Sequence, residues 1–114
     1  MNLLTIEVAS IEESNARFMR AMSGEPVGHF LSFPSEDLLF TVLNARRWPL
    51  LRALTGAGPV GVRELARRVG RDVKSVHGDT QALAKAGVID KLPNGKLHFP
   101  YDEVRLKIGW RAAA

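Results

Sequence analysis

The chain has 114 residues, 46% hydrophobic and 25% charged, and no cysteine. That length and balance suit one ordinary folded domain and argue against wholesale disorder, while the missing thiols exclude a disulfide scaffold and a thiolate zinc site. Sixteen basic against twelve acidic side chains give +4, an excess that suits a polyanionic partner. It is unevenly spread: residues 1–43 hold two basic and six acidic side chains, and residues 44–107 hold thirteen and six. The longest apolar runs fall far short of the ~20 residues a membrane span needs. No basic start precedes an apolar stretch and a small-residue cleavage site, so a secretory leader is not expected. A cytoplasmic protein with no membrane attachment is the expectation.

In chain order, Leu4, Ile6 and Val8 alternate with Thr5 and Glu7, the period of a half-buried strand. Ser10-Ile11-Glu12-Glu13 is a capping box, and Ile11, Phe18, Met19 and Met22 follow at helical spacing, predicting a helix over about 11–22. Residues 23–28 break it, and His29 to Phe33 suits a short second strand. Ser35 caps a short helix through Leu38 to Leu43.

From residue 44 the pattern changes. Asn44 to Leu54 reads as a helix, with Pro49 marking either a kink or a fresh start. Val62 to Val69 is a second helix, with Gly70 at its C-cap position. Asp72 caps a third helix running to about Ala86, with Val73, Val76, Thr80 and Leu83 inward. Val88–Leu92 and Lys96–Phe99 flank Pro93-Asn94-Gly95, a strong hairpin cue. Val104, Leu106, Ile108 and Trp110 alternate as a last strand.

Helix, short helix after a Gly-Pro turn, third helix and basic hairpin make the order of a winged helix-turn-helix. The fold class is therefore α+β: a winged helix-turn-helix domain at 44–110 with a strand-helix extension at 1–43. In that arrangement the third helix presents its N-terminal half to base edges in the major groove, and the hairpin tip reaches the adjacent backbone or minor groove.

The residues carry a resemblance as well. Arg47-Trp48, Leu50 to Leu54 and the run Val62 to His77 resemble a family of small prokaryotic winged-helix regulators described as MarR-like. Ala82-Leu83, Ala86 to Ile89 and Pro100 to Arg105 continue the likeness, which covers about 45–108. Its most specific part is Leu-Ala-x-x-x-Gly-Arg-Asp-x-Lys-x-Val-His, from Leu65 to His77. Gly78, where a longer polar side chain is usual, and Pro49 depart from the pattern. The resemblance implies a sequence-specific DNA-binding transcriptional regulator, and a repressor is the expectation. Some members look like antitoxins encoded beside RelE/HigB-like toxins.

Roles follow from position. Lys74, Ser75, Gly78 and Gln81 fall on the outward face of the third helix as base readers, and His77 borders them. Gln81 suits adenine and Lys74 guanine. Arg63, Arg67 and Arg71 are phosphate candidates, while Arg68, four residues after Glu64, suits an intrahelical pair. Lys91, Asn94 and Lys96 are wing candidates. Singly, each cation could be a solvated surface charge; together they cluster where this fold meets DNA.

A lone strand and helix cannot form a core of their own. The expectation is a homodimer through Leu4, Ile6, Val8, Phe18, Met19 and Met22, with double-stranded DNA as the other partner. Intramolecular packing of the extension is the alternative, and its acidic residues would suit a basic toxin. No enzyme or cofactor is expected: His29, His77 and His98 lack metal-ligand spacing, and no Gly-Lys-Ser/Thr follows Gly56-Ala57-Gly58-Pro59. The competing class is a protein-interaction module that keeps a winged-helix shape without binding DNA.

Overall fold

A computed structural model describes residues 2–113 and shows a mixed α+β architecture. Strand β1, Leu3–Val8, alternates as its sequence requires, with Leu4 and Ile6 buried. Ser10 then caps α1, Ile11–Met22. Its hydroxyl accepts from the Glu13 amide at 3.0 Å, and the Glu13 carboxylate accepts from the Ser10 amide at 3.4 Å. Strand β2, His29–Phe33, returns parallel to β1, as a strand-helix-strand crossover allows. The Ser35 hydroxyl accepts from the Leu38 amide at 3.2 Å and starts α2, Glu36–Val42.

Helix α3 spans Trp48–Leu54, so Pro49 lies in the first turn, where its missing amide costs nothing. The Pro49 question thus resolves as a fresh start. Asn44 does not open the helix; its side-chain oxygen accepts from the Arg46 amide at 3.1 Å in the preceding turn. Helix α4, Val62–Val69, ends at Gly70, whose φ of 69° is the left-handed cap that glycine adopts freely. Helix α5, Val73–Lys85, starts where the Asp72 carboxylate accepts from the Ser75 amide at 2.8 Å.

The hairpin follows as β3, Asp90–Lys91, antiparallel to β4, Leu97–His98. Both strands are shorter than predicted. Val88 and Ile89 are buried side by side, so that stretch packs on the core instead of alternating across a ribbon. Val60 exchanges two 2.8 Å hydrogen bonds with Leu97, adding one residue of backbone to the far side of β4.

Strand β5, Glu103–Lys107, leaves the hairpin and pairs parallel with the other edge of β1. The larger sheet therefore runs β2-β1-β5, with the chain's first strand at its centre. The predicted alternation beyond Lys107 is not strand, and Trp110 is exposed. This topology corrects the expected interface. Leu4 and Ile6 are sealed in the chain's own core, so neither offers a surface to a second chain, while Val8 is half-buried against that core.

One core joins the sheet to the helices. Leu4, Ile6 and Phe33 meet Leu39, Leu43, Leu50, Leu54, Leu65, Val76, Leu83 and Phe99 in a single cluster. Helix α1 contributes nothing to it: no residue of α1 is buried, and Ile11, Phe18, Met19 and Met22 are exposed. Arg17 ties the helix down, with an ion pair to Glu7 at 2.6 Å and its guanidinium 3.7 Å above the Phe30 ring. Among the described residues, no helix is long and apolar enough to cross a membrane.

Candidate nucleic-acid interface

Helix α5 is amphipathic, and its two faces are separated by residue type. Val76, Asp79, Thr80 and Leu83 are buried. Lys74, His77, Gly78, Gln81 and Lys85 form an exposed stripe on the opposite side, at the spacing of one helical face. No part of the chain covers this stripe among the described residues. His77 and Gln81, one turn apart, have their side-chain nitrogens 3.3 Å apart. Four of the five expected base readers therefore share an open surface.

Ser75 does not join them. It is half-buried on the flank of α5, and its hydroxyl accepts from the Arg46 guanidinium at 2.8 Å and the Arg71 guanidinium at 2.6 Å. Arg71 is likewise engaged inside the protein rather than facing outward. It donates to the Asp79 carboxylate at 2.6 Å and to the Arg46 carbonyl at 2.9 Å. The cause of both corrections is Asp79, a carboxylate on the inward side of α5 that cannot remain unpaired.

Asp79 is the residue of the candidate site that pattern reading missed. Its carboxylate meets Arg71, Arg47 at 3.1 Å and Arg46 at 4.0 Å. Burial opposes its charge, but the hydrogen bonds from Arg71 and Arg47 outweigh that and hold the carboxyl below the ordinary range. Arg47 also donates to the Val42 carbonyl at 3.0 Å, so the cluster ties the end of α2 and the start of α3 to α5. A signal was present in the sequence. An acid at an inward helix position, eight residues after an arginine at the preceding turn, calls for a guanidinium partner.

On α4, Arg63 is exposed. Arg67 and Arg68 both bond Glu64, Arg68 at 2.9 Å. The expected Glu64–Arg68 pair is thus present, and Arg67 shares the same carboxylate. Hydrogen bonds from Arg67 and then Arg68 hold the Glu64 carboxyl below its ordinary value. Arg67 still keeps 74% of its side chain exposed.

The hairpin places Lys91, Asn94 and Lys96 at the surface. The Asn94 side chain accepts from the Lys96 amide at 3.0 Å, and Gly95 turns with φ of 83°. Between the hairpin and α5 lies a cleft of about 190 Å³ bordered by Val62, His77, Gln81 and Lys91. The exposed stripe therefore continues onto the hairpin.

The profile of the HVO_A0114 family matches residues 42–106, more than half of the chain. The chain belongs to that family. No curated protein and no solved structure matches it.

Proposed function

We propose that this chain is a sequence-specific DNA-binding transcriptional regulator of the winged helix-turn-helix type, acting as a repressor. The observation that carries the reading is the open face of α5, formed by Lys74, His77, Gly78 and Gln81, of which His77 and Gln81 border the cleft to the hairpin. In this reading α5 enters the major groove, with Gln81 on adenine and Lys74 on guanine. Arg63 and Arg67 meet phosphates from α4, and Lys91, Asn94 and Lys96 reach the neighbouring backbone or minor groove. Val60, β4 and β3 supply the small antiparallel ribbon that such a wing grows from. Ser75 and Arg71 act within the protein.

The regulator works as a homodimer on half-sites one duplex turn, ~34 Å, apart. The exposed Phe18, Met19 and Met22 of α1 carry the dimer contact, without β1. The acidic front segment suits a basic partner, and a role as the autoregulating antitoxin of a RelE/HigB-like toxin rests on that charge and on the family resemblance. The genes beside this one test that role.

A salt-titrated gel shift with duplex from upstream of the chain's own gene tests DNA binding. Affinity that falls linearly in log salt, and favours this duplex over a random one, supports the reading. Absence of binding at low salt leaves a protein-interaction module of the same shape. Arg67→Ala should weaken binding to every sequence and flatten the salt slope by about one. Gln81→Ala should relax preference at one base position.

A further inference from the structure

We infer that Arg46 is a phosphate-gripping residue on the rim of α5 opposite the hairpin, held in place by Ser75, Arg71 and Asp79. The inference rests on the DNA-binding reading and adds to it a contact that neither the helix pattern nor the family motif assigns.

The argument begins with the flanks of α5. The stripe Lys74–Gly78–Gln81 is bordered on one side by Ser75 and on the other by the residues that face the hairpin, Thr80 and Ala84. The hairpin flank carries Lys91. The Ser75 flank carries Arg46, whose guanidinium lies 2.8 Å from the Ser75 hydroxyl. A helix seated in a groove lies between two sugar-phosphate rails, and the exposed stripe of α5 has a cation on each side.

Charge balance points the same way. One carboxylate, Asp79, faces three guanidiniums, at 2.6, 3.1 and 4.0 Å. Arg71 and Arg47 satisfy it directly, and their side chains are mostly buried. Arg46, the most distant, keeps 68% of its side chain exposed. Among the described residues its Nε and Nη1 groups donate to nothing within the chain. They remain available as charged donors to an anion such as a phosphodiester oxygen.

Arg46 is also pre-organised. Arg71 donates to its carbonyl at 2.9 Å and Ser75 accepts from its guanidinium, so backbone and head group are both fixed. An anchored arginine loses less side-chain freedom on binding than a solvated one. Asp79, Arg71 and Ser75 are positioning residues, since they act through Arg46.

The test compares full-length wild type with Arg46→Ala, Arg46→Lys and Arg52→Ala, each titrated with salt against the upstream duplex and a random duplex. Arg52 is an exposed cation of α3 beside Asp102 and Glu103, away from α5, and controls for net charge. Arg46→Ala should weaken binding to both duplexes by the same factor and lower the salt slope by about one, as loss of one phosphate contact does. Arg46→Lys should keep the slope while losing part of the affinity, because an ammonium neutralises a phosphate but cannot hold Ser75 and the phosphate together as the planar guanidinium does. Arg52→Ala should match wild type. If wild type shows its salt slope and Arg46→Ala shows the same one, the inference is overturned while the DNA-binding reading stands. It is overturned equally if Arg52→Ala flattens the slope as much. If wild type binds neither duplex, both fall together.

Discussion

Among the described residues, each half of the molecule buries one carboxylate, and the two are answered differently. In the front half, Glu7 of β1 is 5% exposed and meets a single guanidinium, Arg17, at 2.6 Å, with the Ser32 hydroxyl donating at 3.0 Å. In the back half, Asp79 of α5 is 9% exposed and is surrounded by Arg71, Arg47 and Arg46. The front pair is balanced and leaves no charge over. The back cluster carries more cations than its anion can neutralise, and the surplus faces solvent beside α5. Ion pairing in the front half serves attachment of α1 to the sheet. In the back half it also holds a surplus cation facing solvent, which the DNA-binding proposal assigns to a phosphate.

Removing each carboxylate is the strongest way to break this comparison. Asp79→Ala strands Arg47 and Arg71, whose side chains are only 19% and 22% exposed, and should cost about 3–5 kcal/mol. Glu7→Ala should cost less, about 1.5–3 kcal/mol, because it strands one guanidinium where Asp79→Ala strands two, and Arg17 keeps the Ser32 hydroxyl and the Phe30 ring as partners. Urea unfolding midpoints measure both, and equal losses would erase the distinction. Acid adds a second reading. The folded carboxyl of Asp79 sits below its unfolded value, so the unfolded state binds the extra proton. That stability is whole above the ordinary carboxylate pKa of about 4 and is lost as pH falls through the lower, folded one. Asp79→Ala should therefore flatten the acid limb of the stability curve.

The next contrast lies within the front half, between β1 and α1. Leu4→Ala opens a hole at a residue 3% exposed and should cost about 2–4 kcal/mol. Phe18→Ala, at 61% exposed, should change unfolding of the isolated chain by less than about 0.5 kcal/mol. If the proposed homodimer forms through α1, Phe18→Glu should leave the fold intact and reduce the solution mass from dimer to monomer. A Phe18→Glu chain that stays dimeric by light scattering would move the subunit contact elsewhere.

What pattern reading reached and what it missed follow the same division. Ser10, Ser35, Asp72 and Gly70 act within one or two turns of themselves, so their caps could be read directly. Asn94-Gly95 likewise marks its own turn. The open face of α5 was legible because burial follows helical period. The sheet was not: β1 and β5 are a hundred residues apart, and alternation in each says nothing about which strand lies beside it. Leu4 and Ile6 therefore suited a subunit contact as well as a core. The Asp79 cluster was missed for a related reason. Beyond the Arg71–Asp79 spacing, Arg46 and Arg47 look like any surface cations until α3 is packed against α5.

The smallest effects come from two glycines eight residues apart, and they should have opposite signs. Gly70 has φ of 69°, where a side chain is strained, so Gly70→Ala should destabilise by about 1 kcal/mol. Gly78 is an ordinary interior residue of α5, and a methyl group built there meets nothing within 4 Å. Helix propensity favours alanine at such a position by about 0.5–1 kcal/mol, so Gly78→Ala should raise the unfolding midpoint. Among the described residues nothing packs where a methyl group at Gly78 would lie, so a requirement for glycine there would come from a partner. If α5 approaches base edges closely, the same methyl group should weaken binding to the upstream duplex by about 1 kcal/mol while the protein melts higher. A gel shift and a thermal melt on one variant separate the two effects. Higher stability with undiminished binding would mean that the duplex does not approach at Gly78, and the groove-facing side of α5 would then be set by Lys74, His77 and Gln81 alone.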